Sequence, residues 1–187
     1  MTTPDTAHHV EAHPGTLIQS RTDRHLAAGH WFLSAAEDTQ RARREWTENG
    51  ITLLPCGTLF TAVRLTAGLV HAAADSDDLW DVDAYLGQAL LGGPVFADTR
   101  WHLYYALVPE GADRLPSWSY RTEDAECLGS NAYLGVPDPT RTDPGVGFSY
   151  WCGPSHNPEA LCSLDAVAQL LKDGRCRLTA AEADTGA

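Results

Sequence analysis

Three observations predict an α+β domain with a mainly antiparallel sheet, helices packed on one face of it, and a helical segment in front. Helical apolar spacing dominates the chain up to Gly50. After Gly50, short runs rich in β-branched and aromatic residues take over, separated by Pro and Gly. Helices interrupt and close those runs without alternating regularly with them, so the order is not that of a parallel βαβ fold. At 187 residues, 43% apolar and 20% charged, the chain can bury one core of ordinary size.

Residues 1–19 mix Thr, Pro, His and Gly without periodicity and are expected to be disordered. A first helix, capped by Thr22 or Asp23, carries Leu26, Trp31 and Phe32. The second, from about Asp38 to Glu48, stops at Asn49-Gly50 and shows Arg41/Glu45 and Arg44/Glu48 pairs four apart, the mark of a solvated face. Ile51 to Leu54 and Thr58 to Leu65 read as strands broken by Pro55-Cys56-Gly57. Leu79, Val82, Leu86 and Leu90 make the apolar stripe of a helix capped by Ser76 or Asp77 and stopped by Gly92-Gly93-Pro94. Val95-Phe96 and Trp101 to Val108 flank a turn at 97–100 as a hairpin. Strands follow near Glu126 to Leu128, Tyr133 to Val136 and Phe148 to Cys152. A last helix begins after Ser163, runs through Leu171 and ends at Gly174. The domain is thus placed at 20–177, with a disordered tail over 178–187.

Thirteen basic residues against twenty-five acidic ones give a net charge of −12. Residues 1–74 hold six Arg and seven acids, so almost all of the excess lies in the later part. Such a surface disfavours double-stranded nucleic acid and is compatible with a basic protein partner or a small ligand. The first residues have neither a basic start nor an apolar run, and no uncharged apolar stretch is long enough for a membrane span. The expected setting is therefore the cytoplasm, away from membranes, with five cysteines reduced.

Asp81 and Asp83 form an Asp-x-Asp pair that could hold Mg²⁺ for phosphoryl transfer if it lay on a strand, with His156 as a further catalytic group. On a helix the two carboxylates diverge by about 200°, and the apolar period here is helical. Cys152, His156 and Cys162, with Cys176 or Cys127 as a fourth ligand, are the candidates for Zn²⁺, although no CxxC pair is present. Cys56, in the turn Pro55-Cys56-Gly57, lacks an adjacent base. Arg64, Tyr104, Arg121, Tyr133 and Trp151 fall on or near predicted strands, where aromatic and cationic side chains together can stack a nucleotide or single-stranded nucleic acid.

Gly57-Thr58-Leu59-Phe60-Thr61-Ala62-Val63-Arg64-Leu65, Gly93-Pro94-Val95, Tyr104-Tyr105-Ala106-Leu107-Val108-Pro109, Cys127-Leu128-Gly129, Tyr133-Leu134-Gly135-Val136-Pro137 and Tyr150-Trp151 occur in that order. Over about residues 51–152 the chain resembles the later half of actinobacterial bifunctional DNA primase/polymerase-like (Prim-Pol) domains. The resemblance implies a metal-dependent nucleotidyltransferase ancestry. The family's strand-borne Asp-x-Asp and its Ser-x-His element have no clean match here, since Pro154-Ser155-His156 is the only comparable His. What the resemblance implies is a derivative of the fold that keeps a binding or regulatory use without polymerase chemistry.

Overall fold

The computed structural model describes residues 20–118, 121–153 and 160–185, and the chain is the predicted α+β fold. Helix α1 (Arg21–Leu33) starts at Ser20, whose hydroxyl accepts the Asp23 N–H while the Asp23 carboxylate accepts the Ser20 N–H, both at 3.1 Å. This reciprocal box makes Ser20 the cap, not Thr22 or Asp23. Helix α2 (Thr39–Asn49) is capped by Asp38, whose Oδ1 accepts the N–H groups of Gln40 and Arg41 at 2.9 Å. It ends on Gly50, at φ 74°, where the Arg141 guanidinium lies in the space a Cβ would need.

Strand β1 (Ile51–Pro55) follows directly, then β2 (Thr61–Thr66), which begins three residues later than Thr58. Helix α3 (Ala67–Ala74) was not foreseen in the sequence. It starts on the residue after β2 with no side-chain cap and is apolar on most sides, so neither a boundary nor a period announces it. Helix α4 (Leu79–Ala89) is capped by Asp78 and leads to β3 (Val95–Asp98) and β4 (Leu103–Val108). Their turn falls at 99–102 because the Asp98 carboxylate accepts the Arg100 and Trp101 N–H groups. Strands β5 (Ala125–Leu128), β6 (Tyr133–Pro137) and β7 (Ser149–Cys152) precede helix α5 (Leu164–Thr185).

The main sheet has the order β5-β2-β4-β3-β7, with every neighbouring pair antiparallel. Strands β2 and β3 are therefore parallel to each other with β4 inserted between them, and α3 and α4 make the crossover, a split βαβ arrangement. Strands β1 and β6 form a separate antiparallel pair, in register from Ile51↔Pro137 to Pro55↔Tyr133.

Strand alternation feeds two cores. Val63, Leu65, Ala97, Tyr104, Ala106 and Tyr150 point to the side covered by α3, α4 and α5. Ala62, Phe96, Leu107 and Trp151 point to the other side, where Phe32 of α1, Trp46 of α2 and Leu54, Leu134 and Val136 of the small sheet close over them. The three later helices thus share one face as expected, and the N-terminal helical segment with β1 and β6 covers the second.

Helix α5 does not stop at Gly174 but continues to Thr185, replacing most of the tail expected at 178–187. Gly174 is a crossing point: a Cβ there would sit 2.6 Å from the Leu69 carbonyl oxygen and 2.9 Å from Leu69 Cγ of α3. Beyond it, Ala, Glu and Leu carry good helix propensity and extend the helix without packing support. Gly174→Ala sets a helix gain of about 1 kcal/mol against overpacking of about 1–3 kcal/mol. Because the clash is with a backbone carbonyl, the urea unfolding midpoint is expected to fall. A raised midpoint would show that α3 and α5 do not cross so closely.

Candidate ligand cleft

A cleft of about 1070 Å³ opens between α1 and α4. Asp78 Oδ1 accepts the N–H groups of Trp80 at 2.9 Å and Asp81 at 3.2 Å, which sets the start and rotation of α4. Val82, Leu86 and Leu90 then face the sheet, while Trp80, Ala84 and Gly87 fall on the cleft wall. Trp80 is 62% exposed and Leu91, just past the helix at φ 55°, is 83% exposed. The opposite wall belongs to α1, which presents Arg21, Arg24 and His25. Burial and the charge of Arg21 hold the His25 imidazole below its usual range. Between the walls, Phe32 stacks on Trp151 with ring centroids 5.1 Å apart and planes 25° apart. The Trp151 indole N–H donates to the Pro137 carbonyl at 3.1 Å, so its hydrogen-bonding capacity is already used.

Asp83 also borders the cleft, and it is only 6% exposed. Its Oδ1 accepts the Tyr150 hydroxyl at 3.2 Å, with the Cys152 thiol and the Gly153 N–H as further donors. All three partners are neutral. Burial pushes the carboxyl up to about 6 and raises the Tyr150 phenol and the Cys152 thiol as well. Nearby, the Tyr104 hydroxyl and His71 Nε2 are hydrogen-bonded at 3.1 Å, and His71 Nδ1 meets Asp77 Oδ1 at 3.0 Å.

The Asp-x-Asp pair is on a helix. Asp81 is exposed and accepts the Ser76 hydroxyl at 3.1 Å, whereas Asp83 is turned inward, so the two do not form a shared Mg²⁺ seat. His156 lies outside the described residues. Cys152 is engaged with Asp83, Cys162 donates to the Pro94 carbonyl at 3.5 Å, and Cys176 is exposed on α5. Among the described residues no group of three or more His, Cys, Asp or Glu side chains is placed to hold a metal ion.

The five residues expected to form one ligand surface are dispersed. Tyr104 is buried beneath the helices, on the sheet face opposite Trp151. Arg64 is paired with Glu126 at 2.6 Å, and Arg121 reaches the other Glu126 oxygen at 3.5 Å. The Tyr133 hydroxyl donates to Glu37 at 2.8 Å. Arg64 and Tyr133 do border a common hollow of about 250 Å³ with Tyr105 and Asp98. Of the five, only Trp151 lines the larger cleft. The residues that sequence reasoning missed are Arg21, Arg24, His25 and Trp80. The available signal was Trp80 standing beside, not on, the Leu79/Val82/Leu86/Leu90 stripe, and three cationic or titratable residues in the first turns of α1.

Comparison with protein-family models, curated proteins and solved structures gave no match. Among the described residues no helix is long and apolar enough to cross a membrane.

The thiols give a direct check on these placements. Burial pushes Cys56 and Cys127 up to about 11 and Cys162 up to about 12, and Cys152 rises further. Titration of the native protein with a disulfide reagent near neutral pH should show one fast equivalent, from exposed Cys176, a slower one from half-buried Cys127, and Cys56, Cys152 and Cys162 reacting only on unfolding. Cys176→Ser should remove the fast phase; a fast phase of equal rate that survives would contradict the placement of Cys56, Cys152 and Cys162 in the interior and the partial burial of Cys127.

Proposed function

We propose that the chain is a noncatalytic, cytoplasmic binding or regulatory module whose α1–α4 cleft takes a small ligand with a flat apolar ring and an anionic group. The observation that carries this reading is the joining of exposed Trp80 and the Arg21/Arg24/His25 wall in one space of about 1070 Å³. That volume is of the order used for small molecules, about 300–1,000 Å³. A ring has Trp80 and the apolar Leu91 to cover it, and an anion has the α1 cations. Overall charge argues for a small anion in preference to a polymeric one. At −12 the protein repels a long phosphate backbone, while a compact ligand can sit against the Arg21 and Arg24 side of the cleft, away from Asp83 and Asp143.

Derivation from a primase/polymerase-like fold belongs to the same proposal. Its support is the order of short motifs across 51–152. The divergence of Asp81 and Asp83 speaks against the nucleotidyltransferase alternative, and the burial of Tyr104 with the pairing of Arg64 speaks against base stacking across the sheet.

A suitable probe is 8-anilinonaphthalene-1-sulfonate, which combines aromatic rings with an anion. Saturable fluorescence enhancement is expected under native conditions. Trp80→Ala should weaken it about two- to tenfold, the range of a ring pair worth about 0.5–1.5 kcal/mol. Arg21→Ala should weaken it as well and reduce its salt dependence. Urea unfolding midpoints should stay unchanged, since both side chains are solvent-facing. No saturable binding, or binding indifferent to both substitutions, would reject the cleft as the site.

A further inference from the structure

We infer that the contact between Asp83 of α4 and Tyr150 of β7 is a protonation-operated latch that sets how firmly the α4 wall of the cleft is held to the sheet. The inference does not depend on what the cleft binds. It starts from an asymmetry in how α4 is attached. Val82, Leu86 and Leu90 anchor the helix by apolar burial, which is insensitive to pH. Beside this stripe, Asp83 makes the polar attachment, with Tyr150, Cys152 and the Gly153 N–H as its donors.

A neutral carboxylic acid suits this place. It is nearly out of water, and its three donors are uncharged. Once ionised, the same group is a buried charge with no cationic partner among these contacts, and the three hydrogen bonds offset only part of its lost hydration. Relief requires water to reach the carboxylate, and the cleft that Asp83 borders is its source. Small residues ease the necessary shift. A Cβ at Gly153 would lie 3.4 Å from the Asp83 carbonyl oxygen and 3.8 Å from Gly87 Cα, so backbone meets backbone there with no side chain to repack. The left-handed pair Leu91 and Gly92, at φ 55° and 74°, forms a sharp joint immediately after the helix.

Other titratable groups face the latch from the elements packed against it, and Asp83→Asn separates their contribution from that of Asp83. On β7 they are Tyr150 and Cys152, both raised by burial, and on β4 Tyr104, also raised by burial. From α5, Asp173 and Arg177 act on Tyr85 of α4. Across the cleft stand Arg21, Arg24 and His25 of α1, with Asp143 of the following loop. His71 of α3 reaches the region only through Tyr104. The Asp83 carboxyl titrates near 6 in the folded chain, against about 4 when unfolded. The latch is therefore fully favoured below about pH 4 and weakens as pH rises through about 6.

Amide hydrogen exchange of the unliganded protein tests this. Between about pH 5 and pH 7.5, protection of the α4 amides should fall about tenfold beyond the change in intrinsic exchange rate. Amides of α2, which has no contact with Asp83, should show no such excess. In Asp83→Asn, which stays neutral, α4 protection should be the same at both pH values. Equal behaviour of α4 and α2 in the wild type, or an unchanged tenfold fall in Asp83→Asn, would overturn the inference. Should the Asn variant not fold, the wild type decides alone. The midpoint of α4 protection loss must coincide with the Asp83 carboxyl titration followed by ¹³C NMR, and a separate midpoint would overturn the latch.

Discussion

The structure depends on burying both faces of a five-stranded antiparallel sheet. Antiparallel sheets commonly leave one face in water, and here neither side can be left there. On one side Val63, Leu65, Tyr104, Ala106 and Tyr150 require cover, and on the other Ala62, Phe96, Leu107 and Trp151 do. The α3–α4 crossover supplies part of the first layer and α5 completes it. The second layer is assembled from sequence-distant parts, α1 and α2 at one end of the chain and β6 far along it. The Trp46 indole donating to the Val136 carbonyl at 3.0 Å ties that layer together.

The cleft is a consequence of how the two layers meet. Helix α1 covers the second face and α4 the first, and both reach past the same sheet edge at β7. Trp151 and Tyr150, adjacent in that edge strand, point to opposite faces. Trp151 joins the α1 side and lines the cleft, whereas Tyr150 joins the α4 side and holds Asp83. One strand end thus links an aromatic floor to a buried acid, and both belong to the walls of a single opening.

Electrostatics on this fold is local. The acidic run Asp75 to Asp83 divides into separate duties: Asp78 caps α4, Asp77 holds His71, Asp81 takes the Ser76 hydroxyl, Asp75 meets Arg177 at 3.3 Å, and Asp83 is buried. The cap of α4 expected at Ser76 or Asp77 falls to Asp78, with Asp81 in the first turn. The fate of Asp83 was not legible, because two residues of helix separate an exposed carboxylate from an interior one, and only the partners across α4 decide which is which.

The sequence by itself determined the fold class, nearly every strand and the helices of strong period, since α4 and α2 carry their own caps and apolar stripes and the strands carry β-branched and aromatic residues. It did not announce α3, which has no cap and no polar face, or the true end of α5, where Gly174 resembles a stop signal but serves a close helix crossing. Its ligand surface drew Tyr104 and Trp151 together as strand aromatics, although strand parity and register place them on opposite faces. Tertiary structure alone decided the cleft: Arg21 and Trp80 lie almost sixty residues apart, and no local pattern encodes that two helices on different faces of a sheet will meet at one edge.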